Sequence, residues 1–179
     1  MNIVVITGAS SGIGREFAMQ LDRGLHSVDE FWLIARRGSR LKEIASGMQH
    51  TVKILPLDLT NEADMTVLTE SLAEEKPVVR MLINCAGYGM MGDFTAVPIK
   101  EQTGEVDLNC RALLEVTYGC LPYMRAKSRI IQLASSAAFL PQPGFSVYAA
   151  TKSFVLSFSK ALRAELKERQ IYVTAVCPG

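Results

Sequence analysis

No stretch of this sequence is apolar for long enough to cross a bilayer, which takes about 20 consecutive residues. The opening run at residues 3–6 is too short for a secretion signal and lacks its cationic lead-in. Charge of one sign is missing too: 19 Lys and Arg face 18 Asp and Glu, leaving a net +1. That balance argues against nucleic acid or an anionic membrane as a partner. Cysteine is sparse and scattered. Cys85, Cys110, Cys120 and Cys177 form no Cys-x-x-Cys pair, so reduced core thiols are expected, with no metal and no disulfide. Histidine is sparser still. His26 and His50 are expected as exposed turn residues, and no Gly-x-Ser-x-Gly elbow exists for either to serve, which argues against a serine hydrolase. The expectation is a cytoplasmic protein with a single domain over residues 1–179.

What is present is a rhythm. Apolar, β-branched runs at residues 3–6, 31–35, 52–55, 80–83, 129–133 and 172–176 alternate with helical periodicity near 12–23, 40–48, 62–74, 100–125 and 146–169. Repeated βαβ units and a parallel sheet follow from that alternation. Glycine and proline interrupt it at residues 87–92 and 141–144, which read as loops.

Between the first strand and the first helix lies Thr7-Gly8-Ala9-Ser10-Ser11-Gly12-Ile13-Gly14. Glycine there lets the backbone turn sharply and approach a phosphate, and the helix N-terminus offers free N–H groups to an anion. The spacing differs from Gly-x-Gly-x-x-Gly, yet its position favours a dinucleotide over a plain connecting turn. The second strand ends in Arg36 and Arg37, where an NAD site would carry an acidic residue. Asp29 and Glu30 fall at the other end of that strand. A guanidinium fork suits a 2′-phosphate, so NADP(H) is preferred over NAD(H); the bland alternative is a pair of solvated arginines. Asp58 and Leu59 follow the third strand, where a carboxylate could accept from an adenine amino group; Thr60 or Asn61 could cap the next helix. Asn84-Cys85-Ala86-Gly87 ends the fourth strand with residues small enough to let a ribose lie against the backbone, or simply makes a tight exit.

Tyr148 and Lys152 stand four residues apart, thirteen after Ser135. On a helix that spacing puts both side chains on one face. Bringing a phenol from its usual range near 10 toward neutrality takes roughly 4 kcal/mol of preference for the phenolate. A nearby ammonium supplies part of it. With a serine hydroxyl beside them, the pair suits proton transfer to a carbonyl oxygen. Asn109 interrupts a long helical stretch; it either sits on a solvated face or marks a break that holds a water near Lys152.

Taken together, Thr7-Gly-x-x-x-Gly-x-Gly14, Asp58, Asn84-Cys-Ala-Gly87, Asn109, Ser135, Tyr148-x-x-x-Lys152 and Pro178-Gly179 resemble the compact branch of the short-chain dehydrogenase/reductase family, in family order. The resemblance implies an α/β, doubly wound, Rossmann-like parallel sheet with helices on both faces. It implies that an alcohol/carbonyl pair is interconverted with a nicotinamide cofactor. By it, Tyr148 is the general acid/base and Ser135 steadies the substrate oxygen. Lys152 holds the nicotinamide ribose and makes the phenol more acidic, and Asn109 holds a relay water. Ser10, Ser11, Ile13, Leu59, Ala86, Pro178 and Gly179 would join the glycines, arginines and Asp58 around the cofactor. Cys85 stands where asparagine is commonest in the family. By the same resemblance the chain stops short of the last strand and the substrate-covering segment, so the domain is expected to be incomplete at its C-terminus. A small carbonyl or alcohol substrate is implied, with walls from Met90, Met91, Gly92 and residues 137–145. A homodimer or homotetramer through helices 100–125 and 146–169 is implied too, with Leu108, Leu113, Val116, Phe154 and Phe158 offering apolar surface, of which some must face the sheet. Competing readings are an NADPH-binding regulator or scaffold without turnover and, less well matched, a nucleotide-sugar epimerase.

Overall fold

The computed structural model describes residues 1–179. Six strands form one sheet: β1 (Asn2–Thr7), β2 (Glu30–Ile34), β3 (Thr51–Leu55), β4 (Val78–Asn84), β5 (Arg129–Leu133) and β6 (Tyr172–Val176). Every pairing is parallel, in the order β3-β2-β1-β4-β5-β6. The chain winds outward from β1 to β3, then crosses back to start the other half at β4. That reversal opens a crevice at the carboxyl ends of β1 and β4, where ligands bind in sheets of this kind.

Six helices cover the sheet: α1 (Gly12–Gly24), α2 (Gly38–Ala45), α3 (Glu62–Glu75), α4 (Ile99–Val106), α5 (Leu113–Cys120) and α6 (Ser146–Glu165). Successive strand residues point to opposite faces and so divide the core in two. Ile3, Val5, Trp32 and Leu82 enter a cluster of 21 buried residues closed by Leu68 and Leu72 of α3, Val116 of α5 and Leu162 of α6. Val4, Ile6, Phe31 and Leu33 enter a cluster of 10 closed by Ala18 of α1 and by Leu41 and Ile44 of α2. Each fully buried aliphatic side chain contributes roughly 1.5–3 kcal/mol, so continuous β-branched runs are stable only with helices on both sides. The doubly wound fold is the one expected.

The departures are local. The expected helix at 100–125 is broken: α4 passes into a wider π turn, Asp107–Ala112, then α5, then a 3-10 turn, Leu121–Tyr123, where Pro122 removes a donor. The last helix stops at Glu165 rather than residue 169, and Gln170 takes φ 54° to turn the chain into β6. Asn61, not Thr60, caps α3, its Oδ1 accepting from the amides of Ala63 and Asp64 at 2.9 and 3.2 Å. Of the five apolar residues on the two long helical stretches, some of which had to face the sheet, Leu113 and Val116 of α5 are the buried ones.

His50 is another correction. Its Nδ1 lies 2.8 Å from Asp22 Oδ1, and its ring packs obliquely on Phe31. Asp22 is almost wholly buried near the end of α1 and also accepts from the backbone amides of Gln49 and His50. Burial works against that carboxylate, but the two amides and the ring outweigh it and hold Asp22 below its ordinary value. His26 is exposed, as expected.

Candidate active site

The cleft at the switch point has a volume of about 550 Å³, within the range of small-molecule sites, roughly 300–1,000 Å³. Its floor is the glycine turn. Gly8 takes φ +66°, and a Cβ there would come within 2.7 Å of the Ala86 amide nitrogen, so only glycine lets the end of β1 lie against the exit of β4. Thr7 Oγ1 ties the two segments by accepting from the amides of Cys85 and Ala86, each at 3.2 Å. Ser11 precedes α1 in extended conformation without capping it through its side chain, which leaves the first amides of the helix available to an anion.

Gly8, Ser10, Ser11, Gly12, Ile13 and Gly14 all line this cleft. Arg36, Arg37, Asp58, Leu59, Ala86 and Gly87, from the same expected set, line its other walls. Arg37 lies across the turn, donating from Nη2 to Ser10 Oγ at 3.0 Å and Ser11 Oγ at 2.8 Å. Arg36 stands 3.9 Å from Asp58 and is largely exposed. Asp58 Oδ1 accepts from Thr60 N and Oγ1 at 3.0 and 2.7 Å. Partial burial opposes its charge, yet the Thr60 bonds and then Arg36 prevail and lower it from its ordinary value. Asp29 and Glu30 bond Asn2 N and Trp32 Nε1 at the far end of β2, away from the cleft.

Asn84, Pro178 and Gly179, also expected around the cofactor, fall elsewhere. The Asn84 side chain faces inward, donating to Thr117 Oγ1 at 3.0 Å and Gln132 Oε1 at 2.9 Å. It braces β4 from beneath, and the residues that reach the cleft are Cys85, Ala86 and Gly87. Pro178 and Gly179 do not line the cleft; Pro178 O accepts from Ser136 N at 2.8 Å and so steadies the turn after β5. Burial raises the Cys85 thiol to about 12, making it an inert wall residue.

Beside the cleft, β5 and α6 deliver the other expected groups. Ser135 lies two residues beyond β5, and its hydroxyl accepts from Ala137 N at 3.1 Å. Tyr148 and Lys152 share one face of α6, with the ammonium 5.5 Å from the phenol ring centre. Lys152 is 5% exposed, and its Nζ donates at 2.8 Å to Leu133 O, on a residue of the cleft wall. Burial lowers Lys152 from its ordinary value. Gly87 faces both Lys152 and Asn109, joining this cluster to the cleft.

Asn109 is buried in the π turn, not on a solvated face. Its Oδ1 accepts from Tyr88 N at 3.0 Å, and its Nδ2 donates to Tyr88 O at 2.8 Å and Thr151 Oγ1 at 3.0 Å. The side chain thus ties the Tyr88 peptide to α6, with one lone pair of Oδ1 and the backbone of the turn left over. Tyr88, Thr151 and Glu105 belong to this neighbourhood and had no individual signal in the sequence. The i, i+4 relation of Glu105 to Asn109 was the one available hint.

The short chain dehydrogenase family profile matches residues 2–179. The chain belongs to that family, and it is an NAD(P)-dependent dehydrogenase/reductase acting between carbonyl and alcohol. Among its relatives, sulfoacetaldehyde reductase 2 of Chromohalobacter salexigens is 34% identical over 185 residues, 99% of this chain and 72% of that protein. A short-chain dehydrogenase from Sphingobium yanoikuyae in complex with NADPH superposes with a TM-score of 0.87 at 33% identity, over 99% of this chain and 70% of that one. Serine dehydrogenase from Escherichia coli does so at 0.88 and 30%, over 100% and 82%. No helix is long and apolar enough to cross a membrane.

Proposed function

We propose that the protein reduces a small carbonyl compound to an alcohol, or the reverse, with NADP(H) in preference to NAD(H), and that Tyr148 is its general acid/base. The observation that carries the reading is the placement of Tyr148 and Lys152 on one face of α6, with the ammonium bonded to a cleft-wall carbonyl. The cradle fits a dinucleotide: Gly8 leaves no room for a side chain, and the first turn of α1 faces the cleft. Arg37 on the glycine turn, with both acidic residues of β2 at its far end, favours a 2′-phosphate.

When bound, a reduced nicotinamide supplies the hydride that reaches the carbonyl carbon. As the carbon–oxygen π pair moves onto oxygen, Tyr148 Oη gives that oxygen its proton. Ser135 Oγ accepts from Ala137 N, so its own proton is free to bond the same oxygen. Lys152, kept in a dry position, offers positive charge to the phenolate left behind. Asn109 keeps the Tyr88 peptide and α6 in register. Self-association as a dimer or tetramer is part of the reading. It is supported by Leu114 and Tyr118 on α5 and by Phe154, stacked on Phe158 at 6.0 Å, on the outer side of α6.

Tyr148→Phe tests the assignment. Against a panel of ketones, 3-oxoacyl thioesters, steroids and sugars, NADPH consumption should fall by about 10²–10⁴-fold, the usual worth of a positioned acid. Cofactor affinity, read by NADPH fluorescence, should stay unchanged. Turnover surviving at the native rate would end the proposal.

A further inference from the structure

We propose that Glu105, which nothing in the catalytic reading uses, is a positioning residue that sets the placement of the Tyr148 ring through the backbone of residues 88–92. The inference rests on Tyr148 being the proton donor.

Glu105 is 1% exposed on α4, and no lysine or arginine pairs with it. Its Oε1 accepts from Met90 N at 2.6 Å, while Oε2 is buried with no partner at all. A methionine or leucine here would avoid the cost of a dry, half-bonded carboxyl. Something must hold that carboxyl in place of a cheaper residue. What it holds is the loop.

Asn109 and Glu105 grip alternate peptides of the same stretch. Asn109 takes both polar groups of Tyr88, Glu105 takes the amide of Met90, and Gly89 lies between them. Gly89 in turn lies against Tyr148. A Cβ there would stand 2.7 Å from Cγ of the tyrosine and 2.8 Å from Cε2 of Phe145. Phe145 stacks on the phenol ring at 4.3 Å, so the ring is held by Phe145 and by the Gly89 backbone. The far end of the stretch is fixed once more, Gly92 N donating to Gly144 O at 2.8 Å. Releasing the Met90 amide frees the backbone that presses on the ring.

The protonation state follows from the surroundings. Burial raises Glu105 above its ordinary value of 4.5, and Glu101 adds to the rise while the Met90 amide opposes it. Tyr88 is the titratable group on the stretch itself, and its own phenol is raised in part by Glu101 and Glu105. Ser146 and Val147 of α6, neither charged, line the same small cavity as Glu105. The neutral form therefore contributes stability that is complete below 4.5 and is lost as pH rises through the raised value.

Two substitutions separate positioning from mere packing. Glu105→Met keeps the length and removes the acceptor; Glu105→Gln keeps the acceptor and cannot ionise. With one ketone that the native protein reduces, Glu105→Met should lower kcat by about tenfold or more, since small misplacements near reacting atoms are costly. Its KM for NADPH should not move, and amide exchange should quicken across residues 88–92. Glu105→Gln, which keeps an acceptor for the Met90 amide, should restore most of kcat, a rescue that mere filling of the space would not give. Should Glu105→Met not fold, Gly89→Ala probes the same contact from the ring side and should lower kcat with NADPH binding intact. Native kcat in Glu105→Met or Gly89→Ala, or equal losses in Met and Gln variants, overturns the proposal. Tyr148→Phe run alongside distinguishes the cases: if it is inactive while Glu105→Met is fully active, only the positioning role fails, whereas an active Tyr148→Phe sinks the reading of the site.

Discussion

The two halves of the crevice are built on different principles. On the β1–β3 side, the cradle proposed for the cofactor is built largely from backbone: a left-handed glycine, the first amides of α1, and a strand exit whose two amides are held by Thr7. On the β4–β6 side, the segments that follow β4 and β5 present side chains of varied apolar type. Met91, Phe94, Phe139 and Leu140 are 78%, 63%, 62% and 72% exposed. Backbone recognition tolerates little variation and repeats across proteins that share a cofactor. Side-chain walls can change one residue at a time, and with them the substrate. One half is therefore fixed by geometry, the other by composition.

That division can be broken experimentally. The largest effect within the cofactor half is expected from Gly8→Val. It forces a branched side chain into a left-handed position that costs about 1–2 kcal/mol even for a simple residue, and it collides with the Ala86 backbone. NADPH binding, followed by fluorescence titration, should be lost with the fold retained by circular dichroism; retained binding would show that the turn is not the phosphate cradle. Arg37→Ala comes next. A charge-assisted bond is worth about 1.5–3 kcal/mol, so NADPH affinity should fall by roughly 10–100-fold while NADH affinity holds. An equal loss for both cofactors would assign Arg37 to the turn's structure instead. The smallest effect belongs to the other half. Met91→Ala should leave thermal stability within about 0.5 kcal/mol of native and NADPH affinity unaltered, yet reorder relative kcat/KM across a ketone panel. A drop in NADPH affinity there would erase the contrast between the halves.

The same contrast explains what could be read without coordinates. β5 and β6 have the expected boundaries, because continuous β-branched runs between helical stretches leave one interpretation. The glycine turn, Arg36, Arg37 and Asp58 were legible since their spacing along β1–β3 maps directly onto the cleft. The break at Asp107–Ala112 had one signal, Asn109, read there as either a solvated residue or a break, because apolar spacing continues through Ala112 and Leu113. Asn84 looked like a cleft residue from its place at a strand end. Its inward turn depends on Thr117 and Gln132, 33 and 48 residues away. Glu105 has the look of a solvated helical carboxylate, and only the folded position of Met90 reveals otherwise. His50 was misjudged for the same reason, its partner Asp22 being 28 residues earlier.

Asp22 has a reach of its own. The helix that presents its opening amides to the crevice is 13 residues long, about 20 Å at 1.5 Å per residue. Near its tail a single buried carboxylate grips the start of β3 with three N–H groups. A rod fastened at the rear cannot slide along its axis, so the opening amides of α1 owe their position in the crevice partly to a contact a full helix length away.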